Sequence, residues 1–360
     1  MRHRSGSSAL RGPGPLACSN TAPAALVGAI ILLGYAAAFG EGLPQSAEGI
    51  SREVKEVFAR SARAVVKIRG VDKHGKLAGT GFFIDPAGTL YTAFSVGADA
   101  EDFTVELEGR QIPARQVLAD RRSGIAILKV DAPTPALPVG HSQDLEVATP
   151  VVTVGFPLDL PQTPSFGMIA GFDRKLLGSY FATTHLRVNL PTQPGEAGAP
   201  LLNFQGEVVG ILVSSVENGS SCYALPIDAA EKIRSDFVRF GEARHGWIGI
   251  NVAEAGREVE GSTAEFTEIM RGTPAAECGA KAGDILLQVG RTKVHRPEDV
   301  IDASFFITAG DTVPITVLRG EEKLTFQVEA GFHPAEQRPP VVASPLSSGQ
   351  AMPLGFPRSP

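Results

Sequence analysis

The sequence predicts a mostly β protein of two folded domains, and three observations carry that prediction. Short runs rich in valine and isoleucine recur from residue 65 to residue 213, such as Val65-Val66-Lys67-Ile68 and Val208-Val209-Gly210-Ile211-Leu212-Val213. Forty glycines and 27 prolines supply breaks between such runs, a pattern that suggests a closed all-β architecture. At 360 residues with 43% hydrophobic content the chain exceeds one ordinary domain and can build two cores.

Residues 1–40 open with Arg2, Arg4 and Arg11, continue into the apolar run 24–40 and end on small residues before Glu41. Positive flank, apolar centre and small-residue exit are the parts of an export signal; the alternative is an uncleaved membrane anchor, for which the run is slightly short. Residues 41–63 read as a linker and a short helix, with Val54, Val57, Phe58 and Ala62 at helical spacing behind Ser51 as N-cap. Strand-like runs then fall at 65–68, 82–84, 103–107, 125–128, 151–154 and 208–213. Asp228 opens a helix whose Ile233, Phe237 and Phe240 face inward and which Gly241 ends, marking a domain boundary. Residues 332–360 are rich in Pro, Ser and Gly and read as a disordered tail.

The motifs between residues 65 and 330 carry a resemblance. Gly79-Thr80-Gly81-Phe82-Phe83-Ile84-Asp85, Thr92-Ala93-Phe94-Ser95-Val96, Gly124-Ile125-Ala126-Ile127-Leu128-Lys129, Gly155-Phe156-Pro157 and Pro194-Gly195-Glu196-Ala197-Gly198-Ala199-Pro200-Leu201 succeed one another in that order. In type, order and spacing this series resembles the HtrA family of exported serine proteases. The resemblance implies a trypsin-like pair of six-stranded β-barrels over residues 64–241, with the active-site cleft between them. It implies a PDZ domain of α+β type over residues 244–331, and a homotrimer or a mixed oligomer with active homologues.

Carried over residue by residue, the resemblance puts the family's general base at Ser95, its orienting aspartate at Gly124 and its nucleophile at Ala197, with Gly195 and Glu196 in the oxyanion loop. Acyl transfer on this template needs a hydroxyl, an imidazole and a carboxylate. None of the three side chains is present, so the expectation is a pseudoprotease, not an enzyme. A carboxylate at position 196 would oppose a developing oxyanion if it pointed inward; pointing outward it would have no such effect. His74, in a solvated hairpin loop, His141 after Pro138-Val139-Gly140, and His185 among polar residues are the other candidate bases, and none has a serine and an aspartate in family register.

In the second domain Trp247-Ile248-Gly249-Ile250 matches the PDZ carboxylate-binding loop, and Gly272-Thr273-Pro274-Ala275-Ala276 and Ala282-Gly283-Asp284-Ile285-Leu286 match the stretches beyond it. Such a domain binds an extended peptide as an added strand, with backbone N–H groups on its terminal carboxylate. The other reading is that Trp247 and Ile250 fill the small core.

A net charge of -6 with no Lys/Arg block argues against nucleic acid as the main partner. Cys18, Cys222 and Cys278 form no disulfide framework and read as free thiols, and the spacings of metal sites are missing. No metal and no cofactor are expected. The function expected is that of an exported, periplasmic or envelope protein that binds unfolded polypeptides or C-terminal peptides as chaperone, adaptor or regulatory subunit. The alternatives are an active serine-type endopeptidase in envelope protein quality control and a structural envelope component.

Overall fold

The computed structural model describes residues 45–332 apart from 73, 74, 99, 101, 217 and 218. The export-signal run, the tail and His74 lie outside the described residues. Two compact units divide the chain, 1–51 and 52–360, and every described strand belongs to the second. Among the described residues no helix is long and apolar enough to cross a membrane.

Helix α1 (Gln45–Ser61) begins six residues ahead of the predicted N-cap, so Ser51 lies within it and caps nothing. Its Val54, Val57 and Phe58 pack into the core, as their spacing requires. A first closed barrel comes next, built from β1 (Val65–Asp72), β2 (Gly75–Phe83), β3 (Thr89–Ala93), β4 (Phe103–Leu107), β5 (Arg110–Asp120) and β6 (Ile125–Val130) in the order β1-β2-β3-β6-β5-β4. A one-turn helix, α2 (Phe94–Gly97), interrupts it after β3. The second closed barrel comprises β7 (Pro150–Gly155), β8 (Thr163–Leu176), β9 (Ser179–Val188), β10 (Pro200–Leu202), β11 (Val208–Val216) and β12 (Ser221–Pro226) in the order β10-β11-β12-β9-β8-β7.

The apolar runs have no polar alternation because each central strand serves two cores. Successive side chains of a strand point to opposite faces. Thus Val66, Phe83, Leu90 and Leu128 join Val151, Leu186 and Leu201 in one buried cluster. Their neighbours Val65, Phe82, Tyr91 and Ile127 join Val152, Leu202 and Ile211 in another, which Ile233 of α3 (Ile227–Phe240) completes. A strand buried on both faces reads as a continuous hydrophobic run. Cys222 is buried in the first cluster and Cys278 is half-buried, both as free thiols.

Helix α3 starts at Ile227, and Gly241 ends it in the left-handed conformation at φ 78°, its N–H donating to the carbonyl of Phe237. A second sheet assembly begins at Gly246: β13 (Gly246–Trp247), β14 (Ile250–Val259), β15 (Ser262–Ile269), β16 (Ile285–Val289), β17 (Thr292–Lys293), β18 (Thr312–Arg319), β19 (Glu322–Glu329) and β20 (Gly331–Phe332). Strand β14 lies at the edge of the order β14-β15-β16-β18-β19, while β13 pairs with β20. Helix α4 (Pro274–Glu277) starts with proline behind Thr273, whose hydroxyl accepts from the N–H of Ala276. Helix α5 (Asp299–Phe305) lies beyond β17.

A buried polar junction ties this sheet to α3. Asp236 accepts from Lys232 Nζ at 2.7 Å, from the Arg244 N–H at 3.1 Å and from Thr308 Oγ1 at 2.8 Å. Lys232 donates also to the carbonyl of Arg244 at 2.8 Å. Removing one partner of a buried pair strands the other charge at a cost of about 3 kcal/mol. Asp236→Ala is therefore expected to lower the melting temperature and open residues 241–245 to limited proteolysis, whereas Asp236→Asn, which keeps an acceptor for Thr308, loses less. Differential scanning calorimetry and a trypsin time course check both.

Candidate functional site

Two sites emerge, one between the barrels and one beside β14. In the first, the segments that carry the three positions assigned to the triad adjoin one another. Position 95 is exposed in the first turn after β3, and the Phe94 N–H donates to the carbonyl of Gly124 at 2.7 Å. Gly124 sits at φ 81°, and a Cβ there would lie 3.7 Å from Val213 of the second barrel. The loop 193–199 packs against the first barrel through the Thr80 N–H, which donates to the carbonyl of Ala197 at 2.9 Å, and Thr80 Oγ1, which donates to that of Gly195 at 2.7 Å. Gly198 has φ 85°, and a Cβ on it would stand 2.3 Å from the Thr80 carbonyl and 2.6 Å from the Ala93 N. Only glycine fits there.

The side chains at these positions define what the site can do. Ala197 is fully buried, its methyl part of the core. Glu196 is buried too and does not point to solvent: its Oε2 accepts from the Gln193 N–H at 2.6 Å. Burial raises its pKa, and the hydrogen bond from Gln193 opposes that rise.

Of the other candidate bases, His185 and His141 lie among the described residues. His185 in β9 is buried, stacks on Phe181 at 4.3 Å and donates through Nδ1 to the Thr183 carbonyl at 2.8 Å. Burial pushes its pKa down to about 4, so it is neutral. His141 is exposed with Nδ1 3.6 Å from Asp228 Oδ1, while Ser142 Oγ donates to Asp228 Oδ2 at 2.5 Å. The order is serine–aspartate–histidine, so the carboxylate and not the imidazole accepts from that hydroxyl, and Asp228 lies in the first turn of α3.

The second site is a cleft of about 950 Å³ between the edge of β14 and α5. Trp247, Ile248, Gly249 and Ile250 line one end of it. The loop is shaped by Gly249 at φ 78°, whose carbonyl accepts from the Met270 N–H, and by the Ile248 carbonyl, which accepts from the Ala275 N–H at 3.0 Å. Ile248 is buried in the small core, Ile250 packs on that core from its margin, and Trp247 is half-buried in the cleft. A Cβ on Gly249 would lie 2.3 Å from Thr273 Cβ, so the glycine is needed for the loop to close on α4.

Sequence reasoning missed the other walls of this cleft. Val300, Ile301 and Ser304 come from α5, Tyr180 and Phe181 from β9, and Arg121 and Arg122 from the turn after β5. Hydropathy spacing over 299–305 was a usable signal for α5. Nothing in the local sequence places a turn of the first barrel at a cleft more than a hundred residues downstream.

The cleft is held in register from both sides. Asp302 of α5 accepts from Thr183 Oγ1 at 2.8 Å, from the Thr184 N–H at 2.5 Å, from Thr184 Oγ1 at 2.6 Å and from Arg174 Nε at 3.0 Å. Arg174 also reaches Asp299 at 2.8 Å. On the opposite side His245 Nε2 donates to the buried Asp120 at 3.1 Å. Burial pushes the Asp120 pKa upward, but the hydrogen bonds from His245 and Ser123 outweigh it and hold the carboxyl below its ordinary value.

Known proteins resemble the chain in both parts. The profile of the trypsin-like peptidase domain matches residues 79–211, and that of the PDZ domain matches residues 246–330. The chain is 28% identical over 305 residues to a probable periplasmic serine endoprotease DegP-like of Pseudomonas fluorescens, covering 81% of this chain and 64% of that protein. It is 30% identical over 284 residues to a namesake from Halomonas elongata, covering 75% and 60%. The chain thus spans less than two thirds of the length of these relatives. Its fold is similar to that of the HtrA-type protease AlgW with tripeptide, at TM-score 0.67 and 24% identity over 80% of this chain and 98% of that one. It also resembles the serine endoprotease from Yersinia pestis, at TM-score 0.59 and 25% identity over 78% and 98%.

These relatives correct one expectation. The reading of the chain as no enzyme, drawn from Ser95, Gly124 and Ala197, is contradicted by homologues that are named serine endoproteases. The class the chain is similar to is that of the endoproteases.

The buried Glu196 yields a test with a definite sign. Its folded-state pKa lies above the unfolded value, so the folded chain holds the extra proton and stability falls as pH rises from about 4.3 upward through the folded pKa. Glu196→Gln keeps a carbonyl for the Gln193 N–H and removes the buried charge. It is expected to raise the melting temperature at pH 7.5 by roughly 1–2 °C, the shift that about 1 kcal/mol gives in a chain of this size, and the gap should close toward pH 4. Thermal melts of both proteins across pH 4–8 measure it.

Proposed function

We propose that this HtrA-like chain, a trypsin-type double barrel followed by a PDZ domain, is an exported, periplasmic receptor for the C-terminal ends of polypeptides, unfolded ones included. The observation that carries the proposal is the cleft beside β14. Its sheet edge is unpaired in the strand order, a glycine-shaped loop closes one end, and apolar residues of α5 face the edge. An extended peptide can add there as a strand, with its terminal carboxylate at residues 247–250 and its last side chain against Val300 and Ile301. Strand addition satisfies backbone groups of both partners, and the pocket supplies selectivity.

The relatives support this reading in kind. They are named as periplasmic endoproteases, and the similar HtrA-type structures carry a tripeptide or a decapeptide. On this chain the corresponding role is the holding of polypeptides during envelope protein quality control, with the residues at 247–250 as the carboxylate loop. Residues 64–241 serve as the platform that fixes the cleft, and an oligomer, as homotrimer or with homologues, would multiply its avidity.

Isothermal titration of the whole chain with an apolar-ended peptide is the test. The free acid is expected to bind in the micromolar range, about -8 kcal/mol, and the C-terminal amide much more weakly because it loses the charge on which the loop N–H groups act. Ile301→Ala should weaken the free acid several-fold by emptying the apolar wall. Equal affinities of acid and amide would remove the carboxylate loop from the function.

A further inference from the structure

The cleft has a wall that the PDZ segment does not supply. Residues 120–122, in the turn after β5, stand over it together with Tyr180 and Phe181. Arg121 is exposed, and its guanidinium lies 4.7 Å from the centroid of the Phe94 ring, which holds the cation over a fixed platform. Arg122 lines the cleft beside it. The one acidic residue in this lining, Asp120, is already engaged: it accepts from His245 Nε2, from the Ser123 N–H at 3.0 Å and from the Arg122 N–H at 3.3 Å, and it is buried. The charge shown to an incoming peptide is therefore positive.

Which peptide residue meets that charge is decided by strand geometry. In a strand added to β14 alternate side chains turn to opposite faces. If the last side chain enters the apolar wall of α5, the penultimate one and the one two positions before it turn away from that wall, and the cleft lining supplied by neither α5 nor the rest of the PDZ segment is residues 120–122 and 180–182. We propose that Arg121 makes the cleft selective for C-terminal peptides with an acidic side chain at one of those two outward positions. This rests on the reading of the cleft as a groove for C-termini. An arginine preorganised beside a partly desolvated cleft forms short, charge-assisted bonds to a carboxylate, and its planar fork fits both oxygens.

The experiment uses the full chain and a set of free-acid peptides with one apolar end, carrying Glu, Gln or Lys at the penultimate position or two positions earlier, plus the amide of the Glu peptide. Fluorescence anisotropy is expected to rank Glu about five- to ten-fold above Gln, with Lys weakest. Arg121→Glu should reverse the order of Glu and Lys, and Arg121→Lys should keep it. If free acids bind better than the amide but Glu, Gln and Lys peptides bind alike, the acidic preference is wrong and the groove reading stands. An unchanged order in Arg121→Glu likewise overturns the assignment to Arg121. If acid and amide bind alike, or no peptide binds, the groove reading fails and the preference falls with it. Should the variants not fold, the peptide series against the native chain alone decides.

Discussion

The arrangement depends on one carboxylate. Asp302 gathers four donors from two strands of the second barrel, two hydroxyls, one amide and one guanidinium. A half-buried carboxylate with that many partners has a single low-energy placement, because any displacement gives up charge-assisted hydrogen bonds without regaining full hydration. Helix α5 is thereby fixed on β9, and with it the apolar wall of the cleft. The Asp236 junction and the Asp120–His245 contact hold the other side, so helix, loop and barrel turn form one frame. Phe305, fully buried with residues of both barrels and α3, fills the space between these polar anchors.

Much of the fold was legible in the sequence, and the places where it was not have physical reasons. The runs at 103–107, 125–128, 151–154 and 208–213 all lie in strands of the structure, since each is a buried segment whose β-branched residues suit a pleated surface. Strands β5, β8 and β9 escaped notice because they mix charged, polar and small residues along long, partly exposed stretches such as Arg110–Asp120. Helix α1 began earlier than Ser51 although Gly49 lies in its first turns, since proline, the strongest breaker, comes only at Pro44. The end of α3 was readable from Gly241 alone, since that residue takes the positive φ at which an L side chain is strained.

The sites show the same division. Backbone-determined features were legible: the loop at 195–198 and the loop at 247–250 depend on glycines whose conformations other residues do not adopt readily. Features assembled from distant segments were not: Arg121, Tyr180 and Ile301 share a cleft only because the barrels and the small sheet are locked together. Reading the class of the chain from three side chains was the weakest inference, and the endoprotease relatives stand against it. The burial of Glu196 lay beyond sequence reasoning, because its carboxylate is held by a backbone hydrogen bond from Gln193.

The split ownership of the cleft has a consequence for how the chain can be taken apart. Residues 246–330 match a PDZ domain as a sequence, yet part of the lining of the cleft there belongs to residues 120–122 and 180–182. A fragment cut at the domain boundary would carry one part of the cleft lining and leave the other behind. If the cleft takes C-terminal peptides as proposed, that fragment, transplanted or studied alone, would be more permissive than the parent. On the proposed reading, selectivity would belong to the joint between the modules and would not travel with either one.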